Sequence, residues 1–469
     1  MPYKISGTKS ETARVIVLKE SDWSIESNTV ISGSGAYEVD TLASGTKLVF
    51  GRKDNGEVVG YGNVMAFEPE PSFKGDLLYT LDNPNAYNLS ASDLFGASVA
   101  IDGNYAIVGA YQEDDASGTD SGKAYIFNVT TGNIVHTLDN PNPYGASTDG
   151  WFGISVAIDG NYAIVGAGGE DDAGGTYSGK AYIFNVTTGN LVHTLDNPTP
   201  YGTSAGDRFG NSVAIDGNYA IVGAYMEDDA SGTQSGKAYI FNVATGNIVQ
   251  TLDNPNPSGT SAGDQFGFSV AISGNYAIVG AYGEDDAGGA DSGKAYIFNV
   301  TTGALLQTLD NPNAYSTSAG DYFGYSVAVD GNYVIVAAYN EDDASGTQSG
   351  KAYIFNVATG NIVQTLDNPN PSGTSVNDWF GKSVAIDGNY AIVGADGAHD
   401  AGETLSGEAY IFDVTTGNLL WTLDNPNAYT SIDDRFGFSV AISGNYVIVG
   451  AYWEDDVGGT RSGKAYIFS

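Results

Sequence analysis

Six times along this chain the triplet Glu-Asp-Asp recurs at one place in a repeating unit, beginning at Glu113, Glu170, Glu227, Glu284, Glu341 and Glu454. Clustered carboxylates are the oxygen donors that a hard cation such as Ca2+ takes. On that reading Asp114, Asp115, Asp171, Asp172, Asp228, Asp229, Asp285, Asp286, Asp342, Asp343, Asp455 and Asp456 are candidate ligands. A structural reading competes with it. Each unit with the Glu also carries a Lys further on, as Glu113 with Lys123, and the sixth unit loses both together, as Ala398 and Glu408. Joint loss favours an exposed or half-exposed Glu–Lys pair at the strand ends over a metal, so no cofactor is expected and Ca2+ is the less favoured alternative.

The units also serve as an alignment of the chain with itself. Most columns barely change, but three vary sharply. The residue before a recurring Phe-Gly runs Leu94, Trp151, Arg208, Gln265, Tyr322, Trp379, Arg435. The residue after it runs Ala97, Ile154, Asn211, Phe268, Tyr325, Lys382, Phe438. The residue before the acidic triplet includes Gly169, Met226 and Trp453. Exposed aromatic and Arg side chains suit a glycan or protein ligand. Trp151, Arg208, Tyr322, Trp379, Arg435 and Trp453 are therefore the candidate binding residues.

Catalysis has little to stand on. The chain has 3 His, and His136 and His193 share a column filled elsewhere by Tyr79, Gln250, Gln307, Gln364 and Trp421. No nucleophile elbow, phosphate loop or zinc signature is present, and the expectation is a protein that is not an enzyme. Asn-Val-Thr at Asn128, Asn185 and Asn299 has the form of a glycosylation sequon but reads better as hairpin-turn chemistry.

The elements that must position these residues follow from the repeat. The string Leu-Asp-Asn-Pro recurs with its Leu at 81, 138, 195, 252, 309, 366 and 423, always 57 residues apart. Each unit reads as four strands. In the first these are Phe95–Ile101, a turn at Asp102-Gly-Asn, Tyr105–Ala110, a long polar loop, Lys123–Phe127, a turn at Thr131-Gly-Asn, and Ile134–Leu138. Side chains alternate large and small across the strands, so four-stranded units can stack face to face as propeller blades. The last unit ends after three strands at Phe468. Its fourth is supplied from the other end, where Gly75-Asp-Leu-Leu-Tyr-Thr-Leu-Asp82 matches Gly132-Asn-Ile-Val-His-Thr-Leu-Asp139. The expected fold is all-β: a small N-terminal β-sandwich (residues 1–66), a linker (67–74) and a seven-bladed propeller (75–469) closed by that N-terminal strand.

Composition bounds the partners. Cys is absent, which excludes disulfides and thiolate metal sites. Residues 1–74 hold 8 Lys+Arg and 10 Asp+Glu, leaving 10 and 46 for residues 75–469, a net of −36. So acidic a domain is a poor partner for nucleic acid or an anionic membrane. The first residues lack the apolar run of a secretory signal, and no apolar stretch is long enough to cross a bilayer as a helix.

The Phe-Gly pairs at 95, 152, 209, 266, 323, 380 and 436, with Gly-Ala at 109, 166, 223 and onward and Ala337-Ala338 as a variant, resemble FG-GAP repeats. Those repeats build the integrin α head and many microbial surface proteins. The resemblance implies a propeller used for adhesion. The turn between the first two strands is too short for the calcium loop of some FG-GAP blades, so those calcium sites are not expected here. Gly35–Val39, with Leu42 and Gly45, resembles a small transthyretin-like sandwich. Residues 1–66 as a whole also resemble N-terminal domains of structural proteins of marine tailed phages. The first expectation is thus a phage virion surface protein, a fibre, spike or decoration. Its N-terminal domain would dock to other virion proteins, and its long-loop face would meet a host glycan or surface protein. The alternative is a surface adhesin of a marine or halophilic microbe, and a glycan-acting enzyme is the remotest reading.

Overall fold

A computed structural model describes residues 73–469 except the loop segments 85–91, 115–118, 142–148, 172–174, 199–204, 229–231, 256–261, 286–288, 313–318, 343–345, 370–375, 400–404, 428–432 and 456–459. Of residues 1–72 it describes the backbone of six strands. The chain divides into Met1–Lys74 and Gly75–Ser469. In the first unit Lys4–Lys9 pairs with Gly35–Asp40. A second sheet has Ala13–Leu18 between Ile25–Ile31 and Val49–Lys53, with Val58–Val59 at its edge. Whether these sheets form a sandwich, and the linker, lie outside the described residues.

Gly75–Ser469 is all-β, with no helix among the described residues. It holds seven antiparallel four-stranded sheets, the blades of a seven-bladed propeller. Blade one runs Ser98–Asp102, Tyr105–Ala110, Lys123–Asn128 and Ile134–Asp139. Its first strand starts later than the sequence suggests, and Leu94 and Gly96 before it lie at φ 58° and 90°. Blades two and seven do extend the strand back to Phe152 and Phe436, across a register shift. In blade seven the strand Leu77–Asp82 pairs antiparallel with Lys464–Phe468.

The core lies between blades. Ile107, Ala124, Ile126 and Leu138 of blade one pack against Phe152, Val156, Ile158, Tyr182 and Phe184 of blade two. The same division recurs round the ring, and Leu81, Ile448, Ala465 and Ile467 of blade seven meet Phe95, Val99, Tyr125 and Phe127 of blade one. Phe95 meets Tyr125 and Phe127 edge-on at 5.8 and 6.1 Å, a favoured aromatic geometry.

The Phe-Gly and Gly-Ala pairs are glycine-dependent for one reason. A Cβ on Gly109 would stand 2.0 Å from the Gly153 carbonyl oxygen of the next blade, so the two backbones touch. The outer strands are blunted as well. In every blade a register shift, as between Ile126 and Phe127, leaves one residue of strand four unpaired, which discourages edge-to-edge association.

Candidate functional site

The loops after strands two and four emerge on one end of the propeller and the tight hairpins on the other. The acidic triplets belong to the long-loop end, but their Glu points inward. Glu113 is fully buried and accepts the Tyr125 hydroxyl at 2.7 Å. The pair recurs as Glu170–Tyr182, Glu227–Tyr239, Glu284–Tyr296, Glu341–Tyr353 and Glu454–Tyr466. Burial pushes the carboxyl pKa up to about 8 in Glu113 and Glu341 and about 7 in Glu170 and Glu284, against the opposing Tyr hydrogen bond.

This corrects the expected exposed Glu–Lys pair. Lys123, Lys237, Lys294 and Lys351 reach the Asp of Leu-Asp-Asn-Pro on the neighbouring strand at 2.5–2.8 Å, and Lys180 makes the same pair with Asp196. Lys464 also lies 3.0 Å from its own Glu454. In blade six Glu408, where a Lys otherwise stands, accepts the Tyr410 hydroxyl, and Ala398 fills the vacated loop position. The joint loss therefore relocates a buried carboxylate.

The first Asp of each triplet caps the loop. Asp114 Oδ1 accepts the Asp120 amide at 2.9 Å, and Asp171, Asp228, Asp285, Asp342 and Asp455 repeat the bond. In blade six His399 Nδ1 takes that role toward Leu405. The second Asp of each triplet (Asp115, Asp172, Asp229, Asp286, Asp343, Asp456) lies outside the described residues. Among the described residues no group of three or more His, Asp and Glu is placed to hold a metal.

Other singled-out residues are turn and blade-joining chemistry. Asn128, Asn185 and Asn299 accept Thr amides and hydroxyls within their hairpins, and Asp413 does the same in blade six. His136 lies 3.1 Å from the Thr187 carbonyl of the next blade, and Tyr79, His193, Gln250, Gln307 and Gln364 bridge their neighbours likewise.

The column before Phe-Gly has an unexpected backbone. Leu94, Trp151, Arg208, Gln265, Tyr322, Trp379 and Arg435 all lie at φ 54–62°. Each donates its amide to the preceding blade, to a second residue in the same left-handed region: Arg461, Asp120, Tyr177, Gln234, Asp291, Gln348 and Leu405. This second variable column was legible as the residue before an invariant Ser-Gly, and reading single columns for bulk missed it. Left-handed backbone costs a non-glycine residue roughly 1–2 kcal/mol. A third left-handed column nearby, Ser92, Asp149, Gly206, Gly263, Gly320, Asn377 and Asp433, uses Gly, Asp or Asn, the residues that tolerate this region, everywhere but at Ser92. The first two columns contain no Gly, so their side chains are retained against backbone preference.

These side chains are less exposed than the sequence suggests. Trp151, Arg208, Tyr322, Trp379 and Trp453 are half-buried and Arg435 is buried. The propeller has ten Lys and Arg; six are the strand-three Lys. The other four, Arg208, Lys382, Arg435 and Arg461, all lie over aromatic rings at the long-loop end. Arg435 sits 5.0 and 5.1 Å from Trp379 and Trp453 and 3.6 Å from Asp396. Lys382 is 4.4 Å from Tyr325 and Tyr339 and donates to the Tyr325 hydroxyl at 2.9 Å. Tyr322 stacks on Tyr339 at 5.8 Å. Burial raises the Asp396 pKa to about 6, with Lys382 and Arg435 opposing. The glycines before the triplet make room for the indoles: a Cβ on Gly169 or Gly397 would come within 2.8 Å of Trp151 or 3.0 Å of Trp379.

Seven antiparallel four-stranded blades, with variable side chains gathered at one end, define a seven-bladed β-propeller. A family model described as FG-GAP repeat matches residues 85–127, 143–184, 199–241, 256–298, 314–355, 370–412 and 430–468. The chain belongs to the FG-GAP repeat family. No curated protein matches it.

Proposed function

We propose that the propeller is a non-enzymatic attachment module whose working surface is the long-loop end, displayed on a virion surface as a fibre, spike or decoration. One observation carries the attachment reading. Two columns of side chains at this end are held on disfavoured left-handed backbone and still contain no Gly. Backbone strain retained at variable positions is a mark of function on an otherwise uniform scaffold. The strand Leu77–Asp82 is read as the clasp that closes the ring, and residues 1–66 as the part that docks to other virion proteins. The virion setting rests on the resemblance of residues 1–66 to phage structural domains.

Two measurements test this. Labelled full-length chain incubated with bacteria from the source of the sequence should bind cells, and antibody against residues 75–469 should decorate virions from that source. Cell binding without virion labelling would favour the cellular adhesin. No cell binding would remove the attachment role.

A further inference from the structure

The junction of blades two and three differs from the other six. Tyr177 is the one exposed aromatic residue among those described, with 37% of its surface in water. Its backbone is left-handed (φ 55°), its amide donates to Asp171 Oδ1 at 2.8 Å, and its carbonyl accepts the Arg208 amide at 3.1 Å. The Arg208 guanidinium lies 4.3 Å from the Tyr177 ring and 4.3 Å from Trp151. The two rings are 6.1 Å apart and 26° from parallel. Tyr111 closes the far side of the indole edge-on at 6.4 Å.

Blades six and seven provide an internal control. They repeat the same frame as Trp379, Leu405 and Arg435, but there Arg435 is buried and turned to Asp396. Leu405 stands where Tyr177 would be. That copy is an ion pair packed into the fold. At Arg208 no ion pair is formed with a described carboxylate, the side chain is half-buried rather than buried, and the neighbouring Tyr177 is exposed; an unpartnered Nη1 is common to both arginines.

We propose that the Trp151–Arg208–Tyr177 stack is a subsite for an uncharged pyranose of an oligosaccharide, with the exposed Tyr177 as its platform. This rests on the attachment reading and specifies its ligand. A sugar ring offers an apolar C–H face to an aromatic platform and hydroxyls at its rim that both donate and accept. Arg208 supplies donors. Asp171, whose Oδ1 accepts the Tyr177 amide, brings a carboxylate beside the platform, and Asp120 adjoins Trp151 through the carbonyl that accepts its amide. Those carboxylates and the net charge of −36 oppose an acidic sugar, and Arg208 in the stack opposes a cationic peptide.

The test uses full-length chain on an array of uncharged gluco-, galacto- and manno-oligosaccharides, with uronate oligosaccharides and cationic peptides as comparators. Tyr177→Gly removes the platform and suits the backbone, so its melting temperature should equal or exceed that of the parent. Binding to the retained uncharged sugar should fall about tenfold or more in Tyr177→Gly and in Trp151→Ala, and stay within about threefold in Tyr177→Phe. Cell binding by the parent should be lost after periodate oxidation of the cells. Undiminished sugar binding by Tyr177→Gly, retention of uronates or peptides alone, or cell binding that survives periodate would overturn the subsite and leave the attachment role standing. A parent chain that binds neither array nor cells would overturn both.

Discussion

Glu408 accepts the hydroxyl of Tyr410, two residues away on the same strand of blade six. In the other blades the equivalent Tyr reaches a Glu from the loop before its strand, as Tyr125 reaches Glu113. The acceptor has moved in sequence while the bond has stayed. A buried phenol without a partner costs about 1–3 kcal/mol, which is reason enough for the bond to persist when its source changes.

The relocation predicts a specific coupling. Glu408→Lys alone strips Tyr410 of its acceptor and should cost about 1–3 kcal/mol in urea unfolding. Ala398→Glu alone adds a second carboxylate to a buried site and should also destabilise. The double variant recreates the pattern of blade five, Glu341 with Lys351, and should recover most of both losses. Losses that simply add would refute the exchange.

Stability should fall as pH rises from about 5 to 8.5. The folded-state pKa values of Glu113 and Glu341 (about 8) and of Glu170 and Glu284 (about 7) lie above the ordinary 4.5. Between those values the folded chain holds protons that the unfolded chain releases, so deprotonation favours unfolding. The contribution is full below about 4.5 and gone above the raised values. Melting temperatures at constant ionic strength should show the slope, and Glu113→Gln should reduce it. A stability that rises over this range would contradict the buried, protonated state.

Asp396 neutralises two cations in a confined space, with Arg435 at 3.6 Å and Lys382 near enough to oppose its raised pKa. Removing one partner of a buried pair costs about 3–5 kcal/mol, because the remaining charge is uncompensated. Asp396→Ala should lose that much, whereas Asp396→Ala with Arg435→Met should lose clearly less. Trp379→Ala and Trp453→Ala should lower stability too, since their rings enclose Arg435. Equal losses in the single and double Asp396 variants would mean that the charge is not the cause.

The strand Leu77–Asp82 should be required for cooperative unfolding. It covers the edge of Lys464–Phe468 and contributes buried Leu81 to the layer between blades seven and one. A chain beginning at residue 83 should aggregate or melt in a broad transition. If it melts as sharply as the full chain, the clasp is dispensable.

The repeat itself was legible in the residues. A 57-residue period, four hydrophobic runs per period and glycine at each tight turn are local signals, so the blade count and the strand order could be read directly. Tertiary structure decided where the polar side chains go. Lys123 seemed destined for Glu113 because the two vary together, yet the phenol of Tyr125 is the group that needs the buried carboxylate, and only the inward turn of the loop shows it. Arg208 and Arg435 occupy one column of the repeat and look interchangeable. One stacks between Trp151 and Tyr177 and the other is drawn to Asp396, because each answers to the neighbouring blade, and contacts made 30 to 60 residues apart leave no period in the chain.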